Sequence, residues 1–248
     1  MSARTIILKI KRQKNPELSA VWEEFKVIAE GEISLLALLQ KIREQPINAR
    51  NEAVDPIVWG GECDSRMCGD CGMLVNGQPM LACEFRLKDF DQLITLEPLT
   101  RFPVIRDLWV DRSIIEKNLK ELQLWKPVDR SVLRTLASQV APSVHAEVRE
   151  LSQCIECGLC LEVCPQFNER SSFIGPQAIA MAHEHLKKDR LGLNRDQPLT
   201  RLMQKGGVAD CGDAQNCVKV CPKEIPLTTS IASMKREVVK EGFKRFFG

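Results

Sequence analysis

The chain has 248 residues, room for two modest domains with separate cores, and its 27% of charged residues balance to a formal net charge of +2. Both signs are interspersed, so no basic face is set out and nucleic-acid binding is excluded as a function class. Eleven cysteines, an odd number in short clustered spacings, fit metal ligation in a reducing compartment better than a disulfide framework.

The opening Met1-Ser-Ala-Arg-Thr-Ile-Ile-Leu-Lys lacks the charged, apolar and small-residue regions of a secretory signal, and no apolar run approaches a membrane span. The expectation is a chain soluble by itself. In Thr5–Lys11, Ile6, Leu8 and Ile10 alternate onto one face as in a half-buried strand, and Trp22–Val27 is a second, less regular strand candidate. Ser34 then opens a helix in which Leu35, Leu38, Leu39 and Ile42 recur at helical spacing, and Pro46 stops it. Two strands followed by a helix begin a β-grasp sheet.

Gly60-Gly61-Glu62-Cys63 leads into Cys68-Gly69-Asp70-Cys71-Gly72, with Cys83 further on. This C-x4-C-x2-C spacing with one distant cysteine is the plant-type 2Fe-2S pattern. The glycines allow the loop to wrap a cluster and turn amides toward its sulfurs. Asn76-Gly77, a strong hairpin signal, brings Cys83 back toward the loop.

Pro98 and Pro103 interrupt regular structure, and the pattern changes from strands to helices. The expected organisation is therefore α+β: residues 1–105 a β-grasp plant-type ferredoxin domain, residues 106–248 an all-α bacterial-type ferredoxin domain. Ser113 and Glu116 form a capping box ahead of Ile115, Leu119 and Leu122. Further helices are expected over Ser131–Val140 and Ser143–Leu151, from Gly175-Pro176, around Leu199, Leu202 and Met203, and from Thr228 or Thr229 through Phe243. The last places Ile231, Met234 and Val238 inside and Lys235, Arg236, Lys240 and Lys244 on a solvated outer face. His183-Glu184-His185 lacks the pairing of a zinc box and reads as a polar helix end.

Cys154-Ile-Glu-Cys157-Gly-Leu-Cys160-Leu-Glu-Val-Cys164-Pro165 reproduces the bacterial ferredoxin spacing C-x2-C-x2-C-x3-C-P. A second run, Cys211-Gly-Asp-Ala214-Gln-Asn-Cys217-Val-Lys-Val-Cys221-Pro222, keeps that register with Ala214 in place of the second cysteine. In two-cluster proteins the fourth cysteine of each run serves the other cluster. Cys154, Cys157, Cys160 and Cys221 then hold a 4Fe-4S cluster. Cys164, Cys211 and Cys217 supply only three thiolates, as a 3Fe-4S cluster requires. Zinc ribbons also use paired cysteines, but four thiolates within eleven residues followed by proline are unusual among them.

The sequence carries no nucleotide fingerprint and no nucleophile elbow. Iron-sulfur centres pass one electron at a time and do not alone oxidise an organic substrate, so the chain reads as a wire that needs a partner at each end.

Over its whole length the chain resembles the iron-sulfur subunits of succinate dehydrogenase and fumarate reductase, the succinate:quinone oxidoreductases. The resemblance rests on the Cys63, Cys68, Cys71, Cys83 motif, the joining segment Phe102-Pro-Val-Ile-Arg106-Asp107-Leu-Trp-Val-Asp111, and the two C-terminal cysteine runs, in that order. It implies electron flow from covalently bound FAD in a flavoprotein subunit, through the three clusters, to a quinone at a membrane anchor. Succinate and fumarate would be handled by the flavoprotein, leaving no catalytic residue in this chain, which would lie peripherally on the cytoplasmic face of a prokaryotic inner membrane. Ubiquinone-reducing members have a tryptophan and a histidine near the quinone where this sequence has Glu169 and Gly212. The stretches Cys211–Cys217 and Pro226-Leu-Thr-Thr-Ser-Ile-Ala instead resemble the menaquinone-linked branch, whose anchor is commonly a cytochrome b carrying haem b. Two alternatives stand beside this reading: the iron-sulfur subunit of another flavin-linked reductase, and a zinc-stabilised module without redox activity.

Overall fold

Alternating burial defines the first strand. β1 spans Arg4–Arg12 and turns Ile6, Leu8 and Ile10 into the core. The chain is seen in a computed structural model that describes residues 4–29, 31–86, 93–124, 141–189 and 194–247. It divides into two units, Met1–Arg112 with Ile155–Glu162 and Ser113–Cys154 with Val163–Gly248.

In the first unit, β2 (Val21–Ala29) runs antiparallel to β1 with Leu8 opposite Phe25. Helix α1 (Leu35–Glu44) follows, capped by Ser34, whose Oγ accepts from the Ala37 amide at 3.1 Å. It buries Leu35, Leu36, Leu38, Leu39 and Ile42, the apolar stripe apparent in the sequence. β3 (Gly72–Val75) and β4 (Gln78–Leu81) form a hairpin whose turn residues Asn76 and Gly77 both have positive φ, 49° and 76°. Paired left-handed residues match the twist of the flanking strands. β5 (Leu93–Glu97) lies parallel to β1 and antiparallel to β3, giving the sheet order β2-β1-β5-β3-β4. The Asn76 side chain ties the hairpin turn to β5 by accepting from the Thr95 amide at 2.8 Å.

A buried ion pair fixes the end of this unit. β6 (Val104–Arg106) and β7 (Trp109–Val110) flank Asp107, which is 1% exposed. Its carboxylate accepts from Arg12 Nε at 2.9 Å, the Gln13 amide at 3.1 Å and the Val58 amide at 3.1 Å. Full hydrogen bonding is what makes such a buried charge tolerable, and removing one partner would leave the other uncompensated.

The second unit is helical. α2 (Ser113–Glu121) begins at the expected serine, and α3 (Pro142–Leu151) has proline in its first turn, where a missing amide costs nothing. The expected helix Ser131–Val140 lies outside the described residues. The short α4 (Leu159–Glu162) groups with the first unit. α5 (Pro176–Lys188), α6 (Asp196–Met203), a 3-10 turn at Val208–Asp210, α7 (Asn216–Lys219) and α8 (Leu227–Phe247) complete the chain. Ile231 and Met234 of α8 are buried as expected, and α8 packs along α5.

The structure corrects the reading of His183 as part of a polar helix end. It is 2% exposed within α5, with Nδ1 3.0 Å from Ser230 Oγ of α8 and Nε2 facing Glu147 at 3.5 Å. Burial holds its pKa below the ordinary value, so the imidazole packs in neutral form. Among the described residues no helix is long and apolar enough to cross a membrane. A sheet-bearing N-terminal region followed by a helical region makes the architecture α+β.

Candidate functional site

All eleven cysteines are free of disulfides. Four belong to the first unit's loop and hairpin. Cys71 directly precedes β3, and Cys83 sits in the turn after β4, where the Ala82 amide donates to the Cys71 carbonyl at 3.0 Å. Hairpin closure thus sets Cys71 and Cys83, both buried, beside each other, while Cys63 is exposed and Cys68 half-buried.

The loop is shaped to stabilise sulfur charge. Burial opposes ionisation of Cys63, but the amides of Ser65, Cys68 and Met67 outweigh it and bring the thiol down to about 6. The Asp70 amide donates to Cys68 Sγ at 3.4 Å. Burial pushes Cys71 up to about 12, with the Cys83 thiol and the charge of Cys68 adding to the rise. An electron-rich cluster held by four thiolates calls for amides turned on sulfur together with a low-dielectric wall, and these residues fit such a group. Gly69 is obligatory for a separate reason. Its φ is +74°, and a Cβ there would stand 2.6 Å from the Ile155 carbonyl oxygen.

The segment Ile155–Glu162, which carries Cys157 and Cys160, is pinned within the first unit by Glu162. That buried carboxylate accepts from Thr100 Oγ1 at 2.5 Å and from the Arg101 amide at 3.0 Å. Cys154 and Cys221 belong to the second unit.

The two cysteine runs share a backbone pattern. In Cys154–Cys160 the residues with positive φ are Glu156 (53°) and Gly158 (82°), flanking Cys157. In Cys211–Cys217 they are Asp213 (54°) and Gln215 (59°), flanking Ala214 in the same register. A left-handed glutamine costs about 1–2 kcal/mol, so the second loop keeps this shape against local preference. Within the second unit, Cys164, Cys211, Cys217 and Ala214 line one pocket, together with the buried Phe173 and Ile231. Burial raises the Cys211 thiol and pushes Cys217 up to about 11, and the charge of Cys164 adds to both. Three thiolates so placed repel one another, and a cationic centre among them removes that cost. The donor set fits an iron-sulfur group.

Among the described residues no three His, Cys, Asp or Glu side chains converge as ligands of a single metal ion. A polynuclear cluster does not require this, because each thiolate meets a separate iron.

Several residues that shape these loops were not singled out in the sequence. Lys235, expected on a solvated face, is half-buried and reaches Asp213 Oδ2 at 2.7 Å and the Cys211 carbonyl at 3.4 Å. Its ammonium holds the Asp213 carboxyl below the usual range. Glu162 was legible only as a charged residue inside an apolar turn. Glu169 is exposed, and a Cβ on Gly212 would meet Gln166 Nε2 at 2.8 Å.

Known proteins align with both regions. A family model described as "2Fe-2S iron-sulfur cluster binding domain" matches residues 7–117, and one described as "4Fe-4S dicluster domain" matches residues 150–225. The succinate dehydrogenase iron-sulfur subunit of Bacillus subtilis is 37% identical over 245 residues, covering 99% of this chain and 97% of that protein. The fumarate reductase iron-sulfur subunit of Escherichia coli O157:H7 is 31% identical over 229 residues, covering 92% and 91%. A solved structure titled "Mycobacterium smegmatis Sdh1 complex in the apo form" contains a chain that superposes with a TM-score of 0.81 at 22% identity, covering 98% of both chains, which is a likeness of fold. With cysteine loops that fit iron-sulfur groups and identity of this order along nearly its full length, the chain belongs to the family of succinate dehydrogenase and fumarate reductase iron-sulfur subunits.

Proposed function

We propose that the chain conducts single electrons between FAD in a flavoprotein subunit and menaquinone at a cytochrome b anchor carrying haem b, on the cytoplasmic face of a prokaryotic inner membrane. In this reading a β-grasp, plant-type ferredoxin domain holds a 2Fe-2S cluster through Cys63, Cys68, Cys71 and Cys83. A bacterial-type helical ferredoxin domain, read as residues 106–248 and so including the Ile155–Glu162 stretch that groups with the first unit, holds a 4Fe-4S cluster through Cys154, Cys157, Cys160 and Cys221, and a 3Fe-4S cluster through Cys164, Cys211 and Cys217. When bound, the clusters supply one-electron transfer. The chain's own residues set its conditions: buried cysteines exclude water, loop amides stabilise sulfur charge, and Lys235 holds the Cys211–Cys217 loop through Asp213.

The observation that carries the reading is Ala214, which sits in the backbone frame of a cluster cysteine beside a pocket lined by three thiols. It supports one complete cubane and one lacking a corner. Menaquinone is favoured by the resemblance, since Glu169 and Gly212 stand where ubiquinone-reducing members have a tryptophan and a histidine. In the purified complex, menaquinone analogues are expected to give higher kcat/KM than ubiquinone analogues. Equal or higher efficiency with ubiquinone would contradict this.

The membrane partner is expected to cover the end of α8. Phe243, Phe246 and Phe247 are 60%, 82% and 75% exposed, with the Phe243 and Phe247 rings stacked at 5.9 Å and Phe246 edge-on to Phe247 at 4.9 Å. Lys244 and Arg245 lie between Phe243 and Phe246 in the sequence, Arg245 paired with Glu241 at 2.7 Å, and Lys240 stands one turn earlier, paired with Glu237 at 3.1 Å. An aromatic cluster beside basic residues suits a surface at the level of lipid headgroups, and we assign the anchor subunit as its occupant. A Phe246→Glu, Phe247→Glu double variant should leave the membrane fraction while keeping its visible absorption. Undiminished co-sedimentation with the anchor would overturn the assignment.

A further inference from the structure

Arg112 closes the first stretch of the first unit, and its side chain is only 17% exposed. Its Nη1 donates to the Gly69 carbonyl at 2.8 Å and, at a longer 3.4 Å, to the Cys157 carbonyl. Nη2 pairs with the Asp70 carboxylate. Gly69 directly follows Cys68, so one guanidinium nitrogen joins the backbone beside one cysteine motif to the backbone of a cysteine in another. The two stretches are in close contact there: a Cβ on Gly69 would stand 3.0 Å from Cys157 Cα, and one on Gly158 would stand 3.7 Å from Arg112 Cδ.

We propose that Arg112 is a positioning residue that clamps the Cys63–Cys71 loop to the Ile155–Cys160 stretch and sets one cationic charge against both the 2Fe-2S and the 4Fe-4S cluster. The proposal rests on reading Cys68 and Cys157 as ligands of those two clusters. Reduction adds negative charge to a cluster, so a nearby cation favours the reduced form of each, and low exposure limits the screening of that effect by water and salt. The forked guanidinium also fixes both carbonyls in place, which a point charge on a flexible stem does less well. Asp70, 40% exposed, offsets the cation only in part.

The test is redox titration of the intact complex, following the EPR signal of each cluster, with iron content determined in parallel. In Arg112→Met both the 2Fe-2S and the 4Fe-4S midpoints should shift negative together while the 3Fe-4S midpoint stays in place, and Arg112→Lys, which keeps the charge without the fork, should recover part of both shifts. A shift at one of the two centres alone, or at neither, overturns the clamp. Should Arg112→Met fail to assemble its clusters, Asp70→Asn decides the matter by removing the counter-charge. Both midpoints must then rise, and a rise confined to the 2Fe-2S centre overturns the proposal. Wild-type protein lacking a separate 4Fe-4S signal would defeat the ligand reading itself, whereas unmoved midpoints in a protein holding all three clusters would defeat only the inference about Arg112.

Discussion

Ala214→Cys is expected to abolish the oxidised-state 3Fe-4S EPR signal and install a fourth iron in its place. The side chain at 214 is exposed and framed by left-handed Asp213 and Gln215, as Cys157 is framed by Glu156 and Gly158. A thiol there would therefore occupy a ligand position without reshaping the loop. The added thiolate charge and the change of cluster type both lower the potential. For a one-electron centre, roughly every 59 mV lost costs a factor of ten in its equilibrium with the quinone. Quinone reduction should slow, while succinate oxidation with an artificial acceptor that takes electrons at the flavin persists. Retention of a full 3Fe-4S signal would show that the loop itself excludes the fourth iron.

Cys164→Ser should have an equally large and more selective effect, loss of the 3Fe-4S signal with the 4Fe-4S signal retained. Although Cys164 belongs in sequence to the run that begins at Cys154, it lines the same pocket as Cys211 and Cys217, and its charge raises the pKa of both. A serine hydroxyl ionises far less readily than a thiol and leaves that pocket short of a ligand. Loss of the 4Fe-4S signal with the 3Fe-4S signal intact would mean that each run serves its own cluster.

The parts of this molecule that were legible in the sequence are those governed by local rules. The alternation of Ile6, Leu8 and Ile10, the Ser34 cap with its leucine stripe, and the Asn76-Gly77 turn each depend on residues a few positions apart. The spacing and order of the cysteine runs, likewise local, carried the family. Long-range partners were not legible. Asp107, Glu162 and Arg112 carry no local signal of burial, yet each is held by groups more than forty positions away. The same holds for His183, buried with its Nδ1 beside Ser230 of α8. Lys235 was assigned to the outer face of its helix correctly as to period, but Asp213 on a separate loop comes out to meet it. The grouping of Ile155–Glu162 with the first unit has the same origin, since it depends on Thr100, Arg101 and Arg112.

Whether eleven cysteines hold three different iron-sulfur clusters in one chain is decided by stepwise reduction of the purified protein followed by EPR, together with analysis for iron, acid-labile sulfide and zinc. The expected result is a brown protein with a 3Fe-4S signal when oxidised and with 2Fe-2S and 4Fe-4S signals appearing on reduction. A colourless protein containing zinc, or an iron protein whose oxidised form gives no 3Fe-4S signal, would contradict it.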